Sequence, residues 1–505
     1  MMLPSMVDVL PSGNEQGEYF AIDIGGTNYR VTYARLSPVT GELSALEMRD
    51  SSIPDWAYTA PAPELFDLLA GAVVGLGRDL GVLSSGSSSA SASDAAAAPA
   101  SDEDDRKPSL TVGFCFSFPC DQTALDAGKL LKLTKRFQNE GAVGRDPVEM
   151  LREALARAGE PRARVAALLN DSVGTLAGGR YSDPAVAVGV ILGTGTNAAY
   201  VEAASNVPKL SPEARASLRG GRVVVNTEWG NFSSASLPTL DADAALDAAS
   251  EHPGEQLLEK QVSGMYMGEC ARRLLLELVE RRGLFSSSGG AGGGGGGLVS
   301  RCLGGGADDR AEAATAAAGI SIPGGLKTPG SFSTADVSAC DTDSSPTLRD
   351  VARVLKKVLG EKEASAVSYL DRRAVRSVCS LVAARSARLL AAAVASLLQL
   401  VEDAGESVSG VPKGGRVAVA VDGGVFEHYA KYRATCRAAL AEALGVPLSQ
   451  VDGRVSLKRV RDASSLGAAF LAAAADHHHL GVGAVEAPAA AAAAAGAPMP
   501  VPAIV

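Results

Sequence analysis

Three times along this chain a run of aliphatic and β-branched residues stops at glycines accompanied by an aspartate or a threonine. The three turns are Asp23-Ile-Gly-Gly-Thr27, Gly193-Thr-Gly-Thr-Asn197 and Asp422-Gly-Gly424. One such turn constrains a fold little. Three, at the ends of buried strands, can converge on one nucleotide, two on its phosphates and one near its ribose and base. The first is the most detailed. Phe20 to Ile24 reads as a buried strand, Gly25-Gly26 as a tight hairpin turn, and Tyr29 to Leu36 as the returning strand. Glycines leave backbone N–H groups uncovered, so an anion can approach closely. Thr27 and Asn28 add side-chain hydrogen bonds, Arg30 adds a fixed cation suited to phosphate, and Asp23 sits where Mg²⁺ or its water shell would lie. On these residues alone, a turn with no ligand stays open. Val186 to Leu192, turning through Gly193-Thr194-Gly195 into Asn197 to Glu202, echoes the opening unit and suggests an internally duplicated fold.

The other elements follow from periodicity. Helical spacing predicts helices over Pro63–Leu83, Val148–Ala158, Pro253–Arg282, Leu348–Leu359, Ala374–Val401, Tyr432–Leu444 and Gly467–Ala475. Further strands are expected at Leu110–Phe118, Val165–Leu169, Val223–Asn226 and Val417–Val421. The Ser/Ala-rich, then acidic stretch 84–108 and the glycine- and alanine-rich stretch 286–320 cannot bury enough apolar surface to order themselves. The Ala/Pro tail, 481–505, is expected to be disordered as well.

Several function classes drop out. A Walker loop needs Gly-Lys-Ser/Thr opening a helix, and a Rossmann site needs GxGxxG opening one; neither is present. Apart from the run His477–His479 just before the tail, only His252 and His428 occur, too few for a Ser-His-Asp or zinc site. A net charge of −10 argues against a general nucleic-acid or acidic-membrane surface. No apolar run outside the alanine-rich tracts is long enough for a membrane span. Seven cysteines without a CxxC fit reduced thiols in a cytosol-like compartment. Cys115 and Cys120 read as core residues.

The longer motifs resemble the eukaryotic hexokinases. They are Ile22-Asp-Ile-Gly-Gly-Thr-Asn-Tyr-Arg30, Gly113-Phe-Cys-Phe-Ser-Phe-Pro119, Leu133-Thr-Lys-Arg-Phe137 and Leu169-Asn-Asp-Ser-Val-Gly-Thr175. Leu192-Gly-Thr-Gly-Thr-Asn-Ala-Ala-Tyr200, Val225-Asn-Thr-Glu-Trp-Gly-Asn-Phe232, Pro253-Gly-Glu-Gln-Leu-Leu-Glu-Lys260 and Val421-Asp-Gly-Gly-Val-Phe-Glu-His-Tyr429 follow in the family's order. The last, with Leu326-Lys-Thr-Pro329 and Arg385-Ser-Ala-Arg-Leu389, looks most like the plant and green-algal branch.

The resemblance implies an α/β fold of two actin-like lobes with a sugar cleft between them. The small lobe would hold 18–172 and 462–480, with an insert at 84–108, and the large lobe 173–461, with an insert at 286–320. It implies ATP-dependent phosphorylation of the 6-hydroxyl of glucose and related hexoses, with Mg²⁺. Asp171 would be the general base, assisted by Lys135. Sugar hydroxyls would meet Ser117, Thr134, Lys135, Asn170, Asp171, Asn197, Glu228 and Glu259. The nucleotide would meet Asp23, Gly25, Gly26, Thr27, Asn28, Arg30, Thr194, Gly195, Asp422, Gly423 and Ser464, with Asp23 reaching Mg²⁺ through water. A monomer in the cytoplasm is expected, with the plastid or mitochondrial surface as the alternative if the N-terminus is incomplete, since the helix that usually precedes Leu10-Pro-Ser-Gly13 is missing.

Two departures from the family pattern stand out. Leu133 replaces the usual tryptophan, and Asp462-Ala-Ser-Ser465 replaces an Asp-Gly-Ser-Gly turn. If that turn lies against adenine with a glycine at positive φ, Ala463 and Ser465 obstruct or strain it at a cost of about 1 kcal/mol. Those two residues are what a rival reading, a catalytically weak sugar sensor or scaffold, can point to. A bacterial-type glucokinase or fructokinase would lack the Phe-Ser-Phe-Pro and Asn-Thr-Glu-Trp-Gly combination.

Overall fold

Runs of consecutive buried residues in β2 (Gly17–Ile24) and β3 (Asn28–Leu36) bury both faces of an antiparallel ladder running from Gly17↔Leu36 to Ile24↔Tyr29, Phe20 and Ile22 packing on one side and Tyr19 and Ala21 on the other. A computed structural model describes residues 2–37, 39, 42–83, 109–134, 136–285 and 323–479. The expected inserts and tail, and Lys135, lie outside the described residues. β4 (Leu43–Ser52) extends the ladder beyond β3. Its Leu-Ser-Ala-Leu-Glu-Met-Arg-Asp-Ser-Ser is polar and largely exposed, as suits an edge, and so carries no buried-strand pattern to read. On the other side β5 (Thr111–Phe116) and β8 (Arg164–Leu169) add in parallel, giving the order β4-β3-β2-β5-β8. Helix α1 (Ala62–Asp79) crosses from β4 to β5, and α2 (Pro147–Arg157), capped by Asp146 on Val148 N–H, leads to β8. A small hairpin, β6 (Cys120–Ala124) and β7 (Ala127–Leu130), stands apart.

The second sheet repeats the first. β9 (Val186–Leu192), β10 (Thr196–Ala203) and β11 (Arg222–Asn226) form an antiparallel meander. β12 (Val417–Asp422) and β13 (Val455–Arg459) add in parallel beside β9. With β1 (Leu3–Pro4) on the outer edge, the order is β1-β11-β10-β9-β12-β13. Leaving out β1, both sheets have the third, second, first, fourth and fifth strands in that order, with the same senses. The duplication suggested by the repeated glycine turns is therefore an architectural fact.

The helix after each fifth strand packs on the other sheet. α3 (Asp171–Ser182) follows β8 and lies on β9, β10 and β12, while the terminal helix, Ala463–His479, follows β13 and lies on β2, β5 and β8. The two cross between the sheets in a layer of small residues that includes Ala166, Ala167, Ala177, Ala199, Ala468 and Ala472. A methyl on Gly467 would run into the Gly174 carbonyl, so the backbones themselves touch.

The helix expected over Pro253–Arg282 is two helices, α4 (Leu257–Val262) and α5 (Gly264–Arg282), broken at Ser263 with ψ 162°. The break turns the first N–H groups of α5 outward, where Gly264 N donates to Gly193 O at 2.9 Å and Met265 N to Thr194 O at 3.1 Å. The long helix α6 (Tyr369–Ala404) is, among the described residues, the one long and apolar enough to cross a membrane. Val375, Cys379, Ala383, Ala387 and Leu390 lie in the core of the second lobe. The terminal helix is α7 hereafter.

Candidate active site

The first turn is closed by Gly25 N donating to Asn28 O at 2.9 Å. Neither Gly25 nor Gly26 adopts a positive φ. A Cβ on Gly25 would meet only Asn28 O, at 3.5 Å, so bareness rather than unusual conformation distinguishes this position. The carbonyls of the tip are held from behind: Gly26 O accepts from Tyr58 Oη at 3.0 Å, and Thr27 O from Ile53 N at 2.9 Å. Thr27 and Asn28 are exposed. Arg30, expected to reach phosphate, is held between Asp50 at 2.6 Å and Asp462 at 2.5 Å.

The three turns do come together, around the first turn of α7. Ser464 Oγ donates to Asp23 Oδ2 at 2.6 Å, and Ala463 N donates to Asp422 Oδ2 at 3.0 Å. Gly423 has φ 122° and abuts the Leu192–Gly193 backbone so closely that a Cβ there would clash. Burial, reinforced by the Asp171 charge, pushes the Asp23 carboxyl above the ordinary range, against the lowering effect of the Ser464 and Cys115 hydrogen bonds. Burial likewise pushes Asp422 up to about 6, with Asp462 and Asp23 adding to the rise and the Ala463 N–H opposing it. Carboxylates thus crowd where the turns meet.

This geometry corrects the expectation about Ala463 and Ser465. Both lie in right-handed helix, and neither faces open space: Ala463 is 3% exposed and Ser465 0%. The Ser465 hydroxyl shares a 2.7 Å hydrogen bond with Thr32 in the first sheet. The left-handed residue is Asp462, at φ 52°. No strain of the anticipated kind arises at 463 or 465.

A second cluster forms where β8 and β11 end and β10 begins. Asn170 caps α3, its side chain accepting from Ser172 N at 3.0 Å and from Ser172 Oγ at 2.9 Å. Asp171, the first residue of α3, accepts from the same N–H at 2.8 Å. Asn197 Nδ2 points at Asn170 Oδ1 (3.2 Å), Asn226 Oδ1 (2.9 Å) and Glu228 Oε1 (3.4 Å). Asn226 Nδ2 donates to Glu228 Oε1 at 2.8 Å. Glu228 itself is left-handed, at φ 51° and ψ 40°. Glu259, from α4, accepts from Thr196 N at 2.9 Å. A side chain on Gly195 would stand 2.6 Å from Glu259 Oε2, so that glycine admits the glutamate. Ser117 is 6% exposed, Thr134 is partly exposed, and Thr194 is exposed with its carbonyl held by α5.

Asp171 belongs to both groups, bonded within the amide cluster and close enough to Asp23 to raise it. Two contributors escaped the sequence reading. Asn226 lies inside a quoted motif and at a strand end, as Asn170 does, which was the available signal. Tyr58 lies in a segment with no motif, so nothing local marked it.

Comparison with known proteins agrees with this arrangement. Family models described as hexokinase match residues 1–181 and 187–474. Hexokinase-2 of rice (Oryza sativa subsp. japonica) is 39% identical over 476 residues, spanning 94% of this chain and 83% of that protein. Hexokinase-1 of Arabidopsis thaliana is 38% identical over 478 residues, spanning 94% and 82%. Among solved structures, the hexokinase from Schistosoma mansoni complexed with glucose superposes with a TM-score of 0.69. It is 29% identical, over 94% of this chain and 88% of that one.

Proposed function

The chain belongs to the hexokinase family, and from that premise we propose that Asp171 is the general base of its ATP-dependent phosphorylation of hexoses. One observation carries the assignment: Asp171 shares the Ser172 N–H with Asn170 of the amide cluster, and its charge is near enough to Asp23, at the first glycine turn, to raise that carboxyl. Hexose hydroxyls come in adjacent pairs and need groups that both donate and accept, which the amides and carboxylates of that cluster provide. Glucose is the hexose we assign, with Ser117, Thr134, Asn170, Asn197, Glu228 and Glu259 as its partners and Lys135 completing the set.

In the reaction the sugar's 6-hydroxyl gives its proton to Asp171 as its oxygen bonds to the γ-phosphorus, and the bond to the β-phosphate oxygen breaks to release ADP. The Ser172 N–H holds one Asp171 oxygen in place at the start of α3. The first turn presents Thr27 and Asn28 to the phosphates. The second presents the Thr194 hydroxyl, on a loop fixed by the opening of α5.

The residues at the meeting of the turns suit Mg²⁺, which arrives with the nucleotide. Mg²⁺ prefers one or two carboxylates plus water and phosphate oxygens to a protein cage. Asp23, half-buried beside other acids with its proton affinity raised, is the carboxylate we assign to it, through water. When bound, the ion neutralises charge on the phosphates. Ala463 and Ser465, the residues a sensor reading points to, are buried in the first turn of α7.

Asp171→Asn tests the assignment in a coupled assay of ATP turnover with glucose. The amide still hydrogen-bonds, so glucose binding survives, while kcat falls by about 10²–10⁴. A kcat within a few fold of wild type would remove Asp171 from the mechanism.

A further inference from the structure

Tyr58, in the short segment between β4 and α1, is 4% exposed and touches both halves of the site without belonging to either. Its hydroxyl donates to the Gly26 carbonyl at 3.0 Å. Its ring lies against Phe137, with centroids 4.8 Å apart, and the Arg136 guanidinium sits 4.5 Å from the ring centroid. Its own carbonyl accepts from Gln138 N at 2.7 Å. One side chain therefore joins the first glycine turn to the segment immediately after Thr134 and Lys135.

Each end has a geometric consequence. A trans peptide unit aims its C=O and N–H in opposite directions, so a donor on Gly26 O fixes where Thr27 N–H points. At the other end, Phe137 packs edge-on against Phe118, centroids 5.1 Å apart, and Phe118 directly follows Ser117. Close-packed rings pass on displacement rather than absorbing it. A shift of either hexose-side segment thus reaches the Gly26–Thr27 peptide through ring contacts and one hydroxyl.

We propose that Tyr58 is a positioning residue that couples hexose binding to the phosphate-gripping turn, setting the aim of its N–H groups once the hexose-side loops close. The inference rests on the functional reading above. It predicts a thermodynamic coupling between the two substrates that passes through this residue, equal in either order of binding.

The test measures binding of a non-hydrolysable ATP analogue with Mg²⁺ to the whole chain by calorimetry, with and without xylose, which lacks the hydroxymethyl group that is phosphorylated. The ratio of the two dissociation constants is the coupling factor. Tyr58→Phe keeps the ring and removes the hydroxyl, whereas Phe137→Leu keeps the hydroxyl and removes the ring contact. With xylose present, Tyr58→Phe should weaken the analogue by about threefold to tenfold, the size of one neutral hydrogen bond. Phe137→Leu should lower the coupling factor while leaving analogue binding without sugar within about twofold. Because the contacts lie in series, the double variant should have no smaller a coupling factor than the lower of the two single variants. A purely structural role would lower the melting temperature of both variants and leave the ratio alone. Unchanged ratios in folded variants, or a wild type without coupling, would overturn the inference while glucose phosphorylation kept the functional reading intact. A wild type that neither bound hexose nor turned over ATP would sink that reading and this inference with it.

Discussion

Asn226 fixes both the backbone and the side chain of Glu228. Its Oδ1 takes the Glu228 N–H at 3.4 Å, a side-chain mimic of a turn, and its Nδ2 donates to the carboxylate at 2.8 Å. That matters because Glu228 is held left-handed, which costs a non-glycine residue roughly 1–2 kcal/mol. The same Oδ1 accepts from Asn197 at 2.9 Å. Removing the amide should loosen two expected sugar partners at once and leave Asp171 in place. Asn226→Ala should therefore raise KM for glucose by about 5- to 30-fold with kcat within about threefold, since groups that hold ground state and transition state alike act on KM. Steady-state kinetics across a glucose series would check it, and an unaltered KM would mean that Glu228 keeps its place unaided. The motif containing Asn226 was legible in the sequence. Its role was not, because a motif shows which residues meet a ligand more readily than which residues hold them.

Among the elements, the crossing of α3 and α7 sets the demands on sequence. Gly174 and Gly178 of α3 face the Ser464 and Ala463 backbones, and added side chains there would meet their carbonyls at 2.5 Å. Periodicity started α7 at Gly467, four residues late, because Asp462-Ala-Ser-Ser465 read as a glycine-replaced turn. The helix begins at Ala463, and its opening residues bond to Asp422, Asp23 and Thr32. Ser465→Gly should then destabilise the protein by about 1–3 kcal/mol, losing a buried hydrogen bond and putting glycine in a helix. KM for ATP should not improve. Thermal unfolding together with ATP kinetics tests this, and a several-fold fall in KM for ATP would restore the view that Ser465 obstructs the nucleotide. The break between α4 and α5 is a similar case. Apolar spacing runs through Ser263, and only the need of the Gly193 and Thr194 carbonyls for donors reveals why the helix restarts there.

At the scale of the molecule, each sheet is covered by the helix that follows the other sheet's last strand, so relative motion of the lobes must work about that crossing. Closure on a sugar would alter the surroundings of the second lobe's cleft residues. Trp229 is placed to report it: it follows Glu228, is 6% exposed, and its Nε1 donates to Thr196 Oγ1 at 3.1 Å. Trp56, the other tryptophan, is 50% exposed and lies in the segment before α1. Glucose should shift intrinsic emission saturably, and the response should vanish in Trp229→Phe but persist in Trp56→Phe. Emission unchanged at saturating glucose would count against closure at this site.

Most strands, the three glycine turns and the suggestion of an internal duplication were legible in the residues themselves, while Asp171 entered as the candidate base through its motif's resemblance to a family. Those are local properties: strands announce themselves by apolar runs, turns by glycine, and a site motif by a few adjacent residues. The sequence did not show β4, whose exposed edge has no apolar face to display, or the helical setting of Ala463 and Ser465. It left the fixing of the Gly26 carbonyl by Tyr58 unmarked as well. These were decided by the tertiary structure, through contacts such as Ser464 with Asp23, 441 residues apart, and Ser465 with Thr32, 433 apart. Pairings of that range leave no periodicity in the chain, because the geometry that makes them favourable exists only after both sheets and the two crossing helices are in place.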